Sequence, residues 1–395
     1  MILQITINNM TKNTIGVMFG GRSSEHDISI ITGQFIISKL KDLNYSVKAI
    51  YIDRNGKWFI GEKLEELKFF KEDFRKKLSK FPDYAINLNK STEKLVLDKK
   101  SVLKKDPVVI DFVFPAFHGL NGEDGSVQGM LEFLNIAYAG CGIYASSIAI
   151  DKVYTKKFLQ SLDLPVTKYL TLTRDEFNID NTLNIVTKDL NFPIFVKPAT
   201  AGSSIGITKV KKIEDLEDAI KTAFYYDNKI IIENSVENVS DLTCGVLSDG
   251  KSIIISEIQE SMFDDDLFDF NTKYEQDGGA QIGGSSSNIK IPAEIDSQIS
   301  EQIKHYSKLI FEQINGNGIM RIDFLLDKSL NKVYVNEINT MPGTLTHHLW
   351  EASGVDNFLE KILSHGKKRW EDTKKIHKDY STDVLDNANS MKLQN

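Results

Sequence analysis

Two short runs of alternating apolar residues near the C-terminal end predict a β-hairpin with a cluster of polar side chains. The first run, Gly-Ile-Met-Arg-Ile-Asp-Phe-Leu-Leu, includes Arg321 and Asp323; the second, Lys-Val-Tyr-Val-Asn-Glu-Ile-Asn, ends with Glu337 and Asn339. The segment Asp-Lys-Ser-Leu-Asn between them is typical of a turn. Because residues two apart on a strand share a face, we expect these side chains to meet on one face of the hairpin.

The predicted face offers a site for a metal ion and for phosphate. Asp323, Glu337 and Asn339 supply the hard oxygen ligands that Mg²⁺ prefers when it also holds phosphate groups. The guanidinium of Arg321 beside them is suited to stabilising negative charge that develops in a transition state. The alternative is that acidic residues at strand ends are simply solvated.

Composition argues against several classes of function. A chain of 395 residues has room for two or three domains. Its net charge of −7 is spread along the chain, and no basic stripe appears, which argues against nucleic acid as a partner. No apolar run approaches the roughly 18 residues of a membrane span, and the first residues do not resemble a signal peptide. Cys141 and Cys244 lack metal-like spacing, so we expect buried thiols in a reducing cytoplasm.

Alternating strands and helices up to about residue 140 predict an α/β fold that begins with a doubly wound parallel sheet. Strands are expected at Ile15–Phe19, Tyr45–Ile52 and Val108–Phe117, and the apolar character of the last predicts a buried strand. A helix is expected to follow the first strand and end near Leu40. Residues 60–105 are rich in lysine and predict only helix and loop.

The rest of the chain mixes helices and strands and ends in a polar segment. In order, the sequence predicts a helix at Ser146–Leu162, a strand at Phe192–Val196, a helix at Asp215–Tyr226, a strand at Lys229–Glu233, a hairpin at Asp241–Glu260, and helices at Glu294–Ile314 and Val355–Ser364. From Lys367 the chain is polar and has no periodicity, so we expect a disordered tail.

A Gly/Ser loop follows the strand that carries Lys197. The sequence Val-Lys-Pro-Ala-Thr-Ala-Gly-Ser-Ser-Ile-Gly includes Ser203 and Ser204. Small residues let backbone N–H groups approach phosphate oxygens, and the two hydroxyls add donors. An ordinary glycine hairpin is the alternative, but the lysine at the strand end favours a lid over phosphate.

A second glycine-containing segment matches the P-loop pattern without its context. Gly245–Ser252 fits the pattern letter for letter, but the pattern requires a helix after the lysine. Here the β-branched run Ile-Ile-Ile follows, and Asp-Gly suits a tight hairpin connection. We therefore interpret this segment as a turn between strands.

Two further motifs follow predicted strands. Gly-Gly-Arg-Ser-Ser-Glu-His-Asp comes after the first strand, and its Glu25 suits a cationic group such as an amine, although an acidic first helical turn is also ordinary capping. His118 follows the strand Val108–Phe117, where ligands of open α/β sheets bind. A single histidine is often structural, but the neighbouring Gly-x-x-Gly-Glu-Asp-Gly loop favours a functional role.

Taken together, these motifs resemble the D-alanine–D-alanine ligase family of ATP-grasp enzymes. The matching segments are Phe-Gly-Gly-Arg-Ser-Ser-Glu-His-Asp-Ile-Ser, His-Gly-x-x-Gly-Glu-Asp-Gly-x-x-Gln-Gly, Asp151-Lys152, Val-Lys-Pro-Ala-x-x-Gly-Ser-Ser-x-Gly, Lys273-Tyr274 and Asn-Glu-Ile-Asn-Thr-Met-Pro-Gly. They occur in family order across roughly residues 14–365, and the ordered set is far more specific than any one motif.

The resemblance implies a three-domain ATP-grasp architecture. We expect a Rossmann-like substrate domain at 14–141, a central ATP-grasp lobe at 142–232, a C-terminal lobe at 233–366 and a polar tail at 367–395. The implied activity is formation of a D-alanyl dipeptide through an acylphosphate, with ATP held between the two lobes, for peptidoglycan precursors. D-alanine and a second amino acid are the expected substrates, and the resemblance also implies a cytoplasmic homodimer.

The resemblance also assigns roles to individual residues. Substrate and transition-state contacts fall to Glu25, His118, Ser203, Tyr274, Arg321 and Gly343. Contacts to ATP or to its lid fall to Lys152, Lys197, Ser204, Glu233, Asp241 and Lys273. Two Mg²⁺, with Mn²⁺ as an alternative, fall to Asp323, Glu337 and Asn339.

The sequence departs from the family pattern in two places. Asp241 stands where a ribose-binding glutamate is usual and is one methylene shorter. After Gly343 the chain reads Thr-Leu-Thr-His-His-Leu-Trp, which puts His348, beside His347, where the family has a serine that holds the second substrate's carboxylate. A specialised ligase that joins D-alanine to a different amine is therefore an alternative, and a nucleotide-binding protein without catalysis is a less favoured one.

Overall fold

Within the described residues, three β-sheets organise the chain. The structure is a computed structural model that describes residues 13–71, 73–100, 106–261, 289–377, 379–382 and 384–385. The sheets have seven, four and five strands and follow one another along the chain. The mixed α/β fold expected from the sequence is confirmed.

The first sheet has a parallel centre and an antiparallel extension. Its strands are β1 (Thr14–Gly20), β2 (Ser46–Ile52), β3 (Trp58–Ile60), β4 (Asp83–Ile86), β5 (Leu95–Lys99), β6 (Val108–Ile110) and β7 (Phe112–Pro115), in the order β6-β5-β4-β3-β2-β1-β7. Strand β1 pairs in parallel with β2 and β7, and the remaining pairs are antiparallel. Since parallel strands end at the same edge, the segments after β1 and β7 lie side by side.

Two predictions for this sheet were wrong. Residues 60–105 are not only helix and loop, because β4 and β5 add a hairpin to the sheet beside the short helices α2 (Leu67–Phe70) and α3 (Phe74–Leu78). The predicted strand Val108–Phe117 is divided at Asp111, whose carboxylate accepts a hydrogen bond from the backbone N–H of Thr14 at 2.9 Å. The lysine-rich extension was missed because its strands are only four and five residues long.

Helix α1 (His26–Asp42) connects β1 to β2 and covers one face of the first sheet. Its apolar residues Ile30, Ile36 and Leu40 share one core with β1. Gly33 permits close packing, since a Cβ there would lie 2.6 Å from Cγ of Phe19. The helix start is thereby fixed at the carboxyl end of β1, where Glu25 lies.

The second sheet is antiparallel and carries the predicted lid. Its strands are β8 (Tyr169–Thr173), β9 (Ile194–Pro198), β10 (Thr208–Val210) and β11 (Lys229–Asn234). Of the helices around it in the chain, α4 (Ser126–Phe133) packs with the first sheet, α5 (Ile143–Ile150) and α6 (Lys152–Ser161) pack with the third, and α7 (Ile179–Asp189) and α8 (Leu216–Tyr226) pack on the second sheet itself. The predicted helix Ser146–Leu162 is broken at Asp151, which caps α6 by accepting from the N–H groups of Val153 and Tyr154.

The third sheet holds the predicted polar hairpin. Its strands are β12 (Val239–Ser248), β13 (Ile253–Ser261), β14 (Ile289–Lys290), β15 (Ile319–Asp327) and β16 (Lys332–Asn339), in the order β14-β13-β12-β15-β16, and helix α9 (Ser297–Gln313) packs on them. The connection between β12 and β13 is a tight turn in which Asp249 accepts from the N–H groups of Lys251 and Ser252. The interpretation of the P-loop match as a hairpin turn is therefore confirmed.

The C-terminal helices return to the first sheet and correct the predicted tail. After α10 (His347–Ala352), helix α11 runs from Phe358 to Lys374, ten residues beyond its predicted end at Ser364 and well past Lys367. Arg369 donates to the carbonyls of Gly140 and Tyr138, at 2.7 and 3.1 Å. These partners are backbone groups of a distant segment, so no local periodicity predicted them. None of the helices in the described part of the chain has the length and apolar content that a membrane crossing requires.

Candidate active site

The hairpin of β15 and β16 brings its four polar residues together as predicted. Arg321 pairs in register with Asn339, and Asp323 pairs with Glu337. The guanidinium of Arg321 donates two hydrogen bonds to Asp323, at 2.9 and 2.7 Å, and both side chains are buried. The Asn339 amide donates to the same carboxylate at 3.1 Å. Strand register thus builds a charged face in which each group orients its neighbour.

The same face fits a metal ion that is shared with a ligand. Asp323 and Glu337 offer carboxylate oxygens, and Asn339 keeps its amide oxygen available because its NH₂ group faces Asp323. No cluster of three or more His, Cys, Asp or Glu residues suited to a metal occurs within the described ranges. Two carboxylates and an amide match Mg²⁺, which retains water and phosphate oxygens in its coordination sphere. Lys152 lies near this face, with its Nζ 3.8 Å from Glu337.

A cavity of about 60 Å³ opens beside the hairpin and joins the first sheet to it. Glu25, at the start of α1, is buried there and accepts a hydrogen bond from the Ser203 hydroxyl of the predicted lid. Gly202 packs directly on this carboxylate, since a Cβ there would lie 2.6 Å from Oε2 of Glu25. The cavity is lined by Glu25, Ile28, His118, Glu123, Lys152, Ser203, Arg321, Glu337, Asn339 and Gly343, among others.

His118 lies at the carboxyl end of β7, as predicted, and is buried in the wall of this cavity. Its Nε2 is 2.8 Å from the Thr32 hydroxyl, which also accepts the backbone N–H of Thr344 at 3.2 Å. Burial lowers the pKa of His118 to about 3, and the charge of Arg321 acts in the same direction. The imidazole is therefore neutral at physiological pH and serves as a hydrogen-bonding group rather than as a cation.

Glu123 is a cavity residue to which the sequence analysis gave no role. Its Oε2 accepts the backbone N–H of Gly119 at 2.7 Å and lies 3.8 Å from Nδ1 of His118. Burial and the neighbouring charge of Glu25 raise the pKa of Glu123 well above its usual value. The signal was present in the sequence, because the Gly-x-x-Gly-Glu-Asp-Gly loop follows β7 directly.

A larger cavity of about 480 Å³ lies between the second and third sheets. Its walls carry the residues expected to contact ATP: Lys152, Lys197, Ser204, Glu233 and Asp241. Ser203 and Ser204 of the lid both have positive φ, 53° and 57°, so the lid turns sharply over the cavity. Lys152 donates to the carbonyl of Ala201 at 2.7 Å, which ties helix α6 to the lid. Lys273 and Tyr274 lie outside the described residues.

Glu233 is a buried anchor for two lysines. Lys197 pairs with one of its oxygens, and Lys156 and the Thr167 hydroxyl contact the other at 2.8 and 2.6 Å. Burial alone would raise the pKa of Glu233, but the two ammonium groups dominate and hold it well below its usual range. Sequence reasoning missed Lys156, although it lies four residues after Lys152 and therefore on the same side of α6.

The segment after Gly343 forms an unusual turn. Thr344, Leu345 and Thr346 have φ values of 43°, 55° and 46°, so three successive residues adopt the left-handed backbone conformation. Such a backbone costs energy at each residue and persists only where packing fixes it. Leu345 is fully buried, and the indole of Trp350 donates to its carbonyl at 3.0 Å.

His347 and His348 follow this turn and begin α10. The Nε2 of His348 is 2.7 Å from the amide oxygen of Gln259 on β13. Burial lowers the pKa of His348 to about 4, with further contributions from His347 and Arg321. Neither histidine is among the described residues that line the cavity at Glu25, although Gly343 is. The structure therefore joins the hairpin, Glu25 and His118 in one cavity, and the lining of that cavity does not include His347 or His348.

Comparison with protein families gives two matches that together span most of the chain. Residues 14–141 match the family described as D-ala D-ala ligase N-terminus. Residues 158–363 match the family described as D-ala D-ala ligase C-terminus.

Curated relatives agree with these matches. The chain is 40% identical over 372 residues to a D-alanine–D-alanine ligase of Thermosipho africanus, which covers 94% of this chain and 97% of the relative. It is 36% identical over 369 residues to a D-alanine–D-alanine ligase of Caldicellulosiruptor bescii, covering 90% and 95% of the two chains.

Solved structures are similar in fold. The D-alanine–D-alanine ligase from Coxiella burnetii superposes with a TM-score of 0.76 at 26% identity, covering 92% of this chain and 97% of the other. The VanG D-Ala:D-Ser ligase from Enterococcus faecalis superposes with a TM-score of 0.72 at 27% identity, covering 91% and 99%.

Proposed function

This chain belongs to the D-alanine–D-alanine ligase family, and we propose that it joins the carboxyl group of one D-alanine to the amine of another with cleavage of ATP to ADP and phosphate. One observation carries the proposal most directly. A buried carboxylate suited to an amino group, Glu25, opens on the same cavity as Arg321, Glu337 and Asn339. An amino acid held by its ammonium group would therefore present its carboxylate to the face suited to phosphate.

The first half-reaction is assigned to this cavity. Glu25 holds the ammonium of the first D-alanine, and a hydrogen bond from Ser203 fixes the Glu25 carboxylate. His118 lies near the substrate's carboxyl group. That carboxyl group attacks the γ-phosphate of ATP and becomes an acylphosphate. Arg321 and the N–H of Gly343 stabilise the oxyanion that forms when the acylphosphate is attacked.

ATP is assigned to the larger cavity. Lys152 and Lys197 contact its phosphates, and Glu233 holds Lys197 in place. Ser204, with Ser203, belongs to the lid. Roles for Asp241 toward the ribose, Lys273 toward the γ-phosphate and Tyr274 toward the lid follow from the family.

The metal site is assigned to the hairpin face. Asp323, Glu337 and Asn339 would hold two Mg²⁺, and Mn²⁺ could replace them. The metal supplies charge neutralisation and orientation of phosphate oxygens. The protein's own part is to fix the three oxygen donors, which the pairing of β15 with β16 and the Arg321–Asp323 contact support.

The identity of the second substrate depends on what His348 can bind. A neutral His348 that is bonded to Gln259 holds a carboxylate less firmly than a hydroxyl donor or a protonated imidazole would. This favours, as a second candidate, a ligase of the same kind that joins D-alanine to a different amine, with His347 and His348 near the second pocket. A role in peptidoglycan precursor synthesis, a cytoplasmic location and a homodimer remain predictions from the family.

The proposal is tested by measuring ADP release with ATP and Mg²⁺ over a panel of D-amino acids, L-amino acids and D-lactate, with products identified by mass spectrometry. D-Ala-D-Ala as the main product is the expected result. A mixed dipeptide as the main product would replace it with the second candidate. ADP release that no amino acid stimulates would overturn both.

A further inference from the structure

Amide formation has a proton requirement that the residues assigned so far do not meet. The second amino acid arrives with its amine as an ammonium ion, which has no lone pair with which to attack. A group in the site must accept a proton from it within hydrogen-bond reach. None of the roles given to Glu25, Arg321, the lysines or the metal ligands supplies this step.

We propose that Glu123 is the general base that removes a proton from the amine of the second substrate. The inference rests on the proposed ligase function and adds a catalytic residue to it. Glu123 lines the same cavity as Glu25, Arg321 and Gly343, where the acylphosphate is assigned. Its side chain is 13% exposed, so it can be reached from the cavity while it is shielded from bulk water.

The loop at Gly119 holds two carboxylates at neighbouring positions of the cavity. Glu123 accepts the N–H of Gly119, and a Cβ on Gly119 would lie 2.9 Å from Oε2 of Glu25. Gly119 has a φ of +75°, a backbone conformation that suits glycine. Two amino groups enter the reaction, and the cavity provides two carboxylates that can each face one of them.

The other basic groups of the cavity are less suited to the task. Glu25 is engaged by the Ser203 hydroxyl and serves the first substrate's ammonium. His118 has a pKa of about 3, and its Nε2 is occupied by Thr32. Glu337 is assigned to the metal. Among the described residues that line the cavity, Glu123 is the carboxylate without another assignment.

The electrostatic surroundings of Glu123 favour proton uptake. Its pKa is raised by burial first, then by the charges of Glu25 and Glu337, while the Gly119 N–H and Arg321 oppose the rise. A general base works best when its pKa approaches the working pH. An incoming ammonium ion favours the ionised carboxylate. The carboxylate of Glu123 is therefore a stronger proton acceptor than a solvated glutamate would be.

The proposed step balances in protons and electrons. One N–H proton of the ammonium passes to the Glu123 carboxylate, and the freed lone pair forms the bond to the acyl carbon. The tetrahedral intermediate collapses with cleavage of the carbon–oxygen bond to phosphate, which leaves with that electron pair and takes the second proton from nitrogen. Glu123 then returns its proton to solvent, and no oxidant or reductant is needed.

The experiment compares two nucleophiles on the full-length Glu123→Gln variant with ATP, Mg²⁺ and D-alanine. Hydroxylamine is uncharged at neutral pH and attacks an acylphosphate without a base, so it gives D-alanine hydroxamate. We expect dipeptide formation to fall by about 10²–10⁴-fold, the usual contribution of a general base, while hydroxamate formation stays within about threefold of wild type. Glu25→Gln is the matched control and should lose both products together, because it acts before the acylphosphate forms.

Three further outcomes are decisive. If Glu123→Gln loses both products equally, the residue only supports the Gly119 loop and the inference is wrong. If it keeps both, no base is located there. If wild type makes neither product, the proposed function itself fails. Glu123→Asp separates basicity from shape, since it should recover part of the dipeptide activity and keep the rise of kcat/KM with pH that Glu123→Gln loses.

Discussion

The two sides of the active-site cavity differ in how the backbone places their functional groups. On the hairpin side, Arg321 and Asp323 face Asn339 and Glu337 because paired strands dictate it. On the other side, Gly343 is followed by three residues with positive φ and then by two histidines. The first arrangement is a local consequence of strand periodicity, whereas the second exists because tertiary packing overrides local preference. We call the hairpin side strict, because we expect substitutions there to reduce catalysis. We call the histidine side adjustable, because we expect substitutions there to change how well the second substrate is used.

The most severe test of the hairpin side is Arg321→Ala. Removing the guanidinium should lower turnover by about 10²–10³-fold, as when an oxyanion donor is lost, while ATP binding changes little. Turnover and the ATP dissociation constant would be measured on the same preparation. Arg321→Lys is the matched variant, because it keeps the charge but cannot make the two-pronged contact with Asp323. Turnover that survives in Arg321→Ala would remove this residue from the transition state.

Sequence periodicity predicted the hairpin side well. Two alternating runs were enough to place Asp323, Glu337 and Asn339 on one face, and the strand ends placed Glu25 and His118 at the edge of the first sheet. Each of these predictions rests on a local rule, period two in a strand or the position after a parallel strand. Local rules hold where the backbone follows its intrinsic preference.

The features that sequence reasoning missed depend on contacts between distant segments. The end of α11 is held by carbonyls of Tyr138 and Gly140, more than two hundred residues away. Lys156 on helix α6 owes its role to Glu233 on strand β11, which the fold brings within 2.8 Å of it. The left-handed turn at Thr344 could not be expected, because threonine and leucine avoid that conformation in isolation.

A pH experiment tests whether the imidazole of His348 is neutral in the folded protein. His348 has a pKa of about 4 in the folded protein against 6.5 when unfolded, so only the unfolded chain takes up its proton between those values. Its contribution to the free energy of unfolding should therefore fall by about 2 kcal/mol from pH 7 to pH 5. Urea unfolding at both values, for wild type and His348→Gln, would measure it.

The comparison of the two proteins isolates His348 from other titrating groups. Glu123, whose pKa is raised, acts in the opposite sense in this window, and it is common to both proteins. The pH dependence of stability should be shallower in His348→Gln. Identical slopes would mean that His348 keeps its ordinary pKa of 6.5 in the folded protein, so that it would become a cation able to hold a carboxylate as the pH falls below that value.

On the adjustable side, a single substitution at His348 should improve the use of D-alanine as the second substrate. His348→Ser removes the ring and offers a hydroxyl to the second substrate's carboxylate, so kcat/KM for D-alanine in that position should rise about tenfold, equivalent to about 1.4 kcal/mol. Wild type and variant would be compared at saturating ATP. The KM of the first D-alanine should not change, because Glu25 and Ser203 are untouched. An unchanged kcat/KM would mean that the pocket is built from other groups.

The smallest expected effect concerns the turn itself. Thr346 is buried with a φ of 46°, a conformation that costs a non-glycine residue roughly 1–2 kcal/mol. Thr346→Gly and Thr346→Ala remove the same hydroxyl, but only glycine relieves the backbone, so the glycine variant should be the more stable by about 1 kcal/mol. At an ordinary position the order is reversed. Equal stabilities in denaturant would show that the turn relaxes on substitution, and the contrast between a strict and an adjustable side would then rest on the histidines alone.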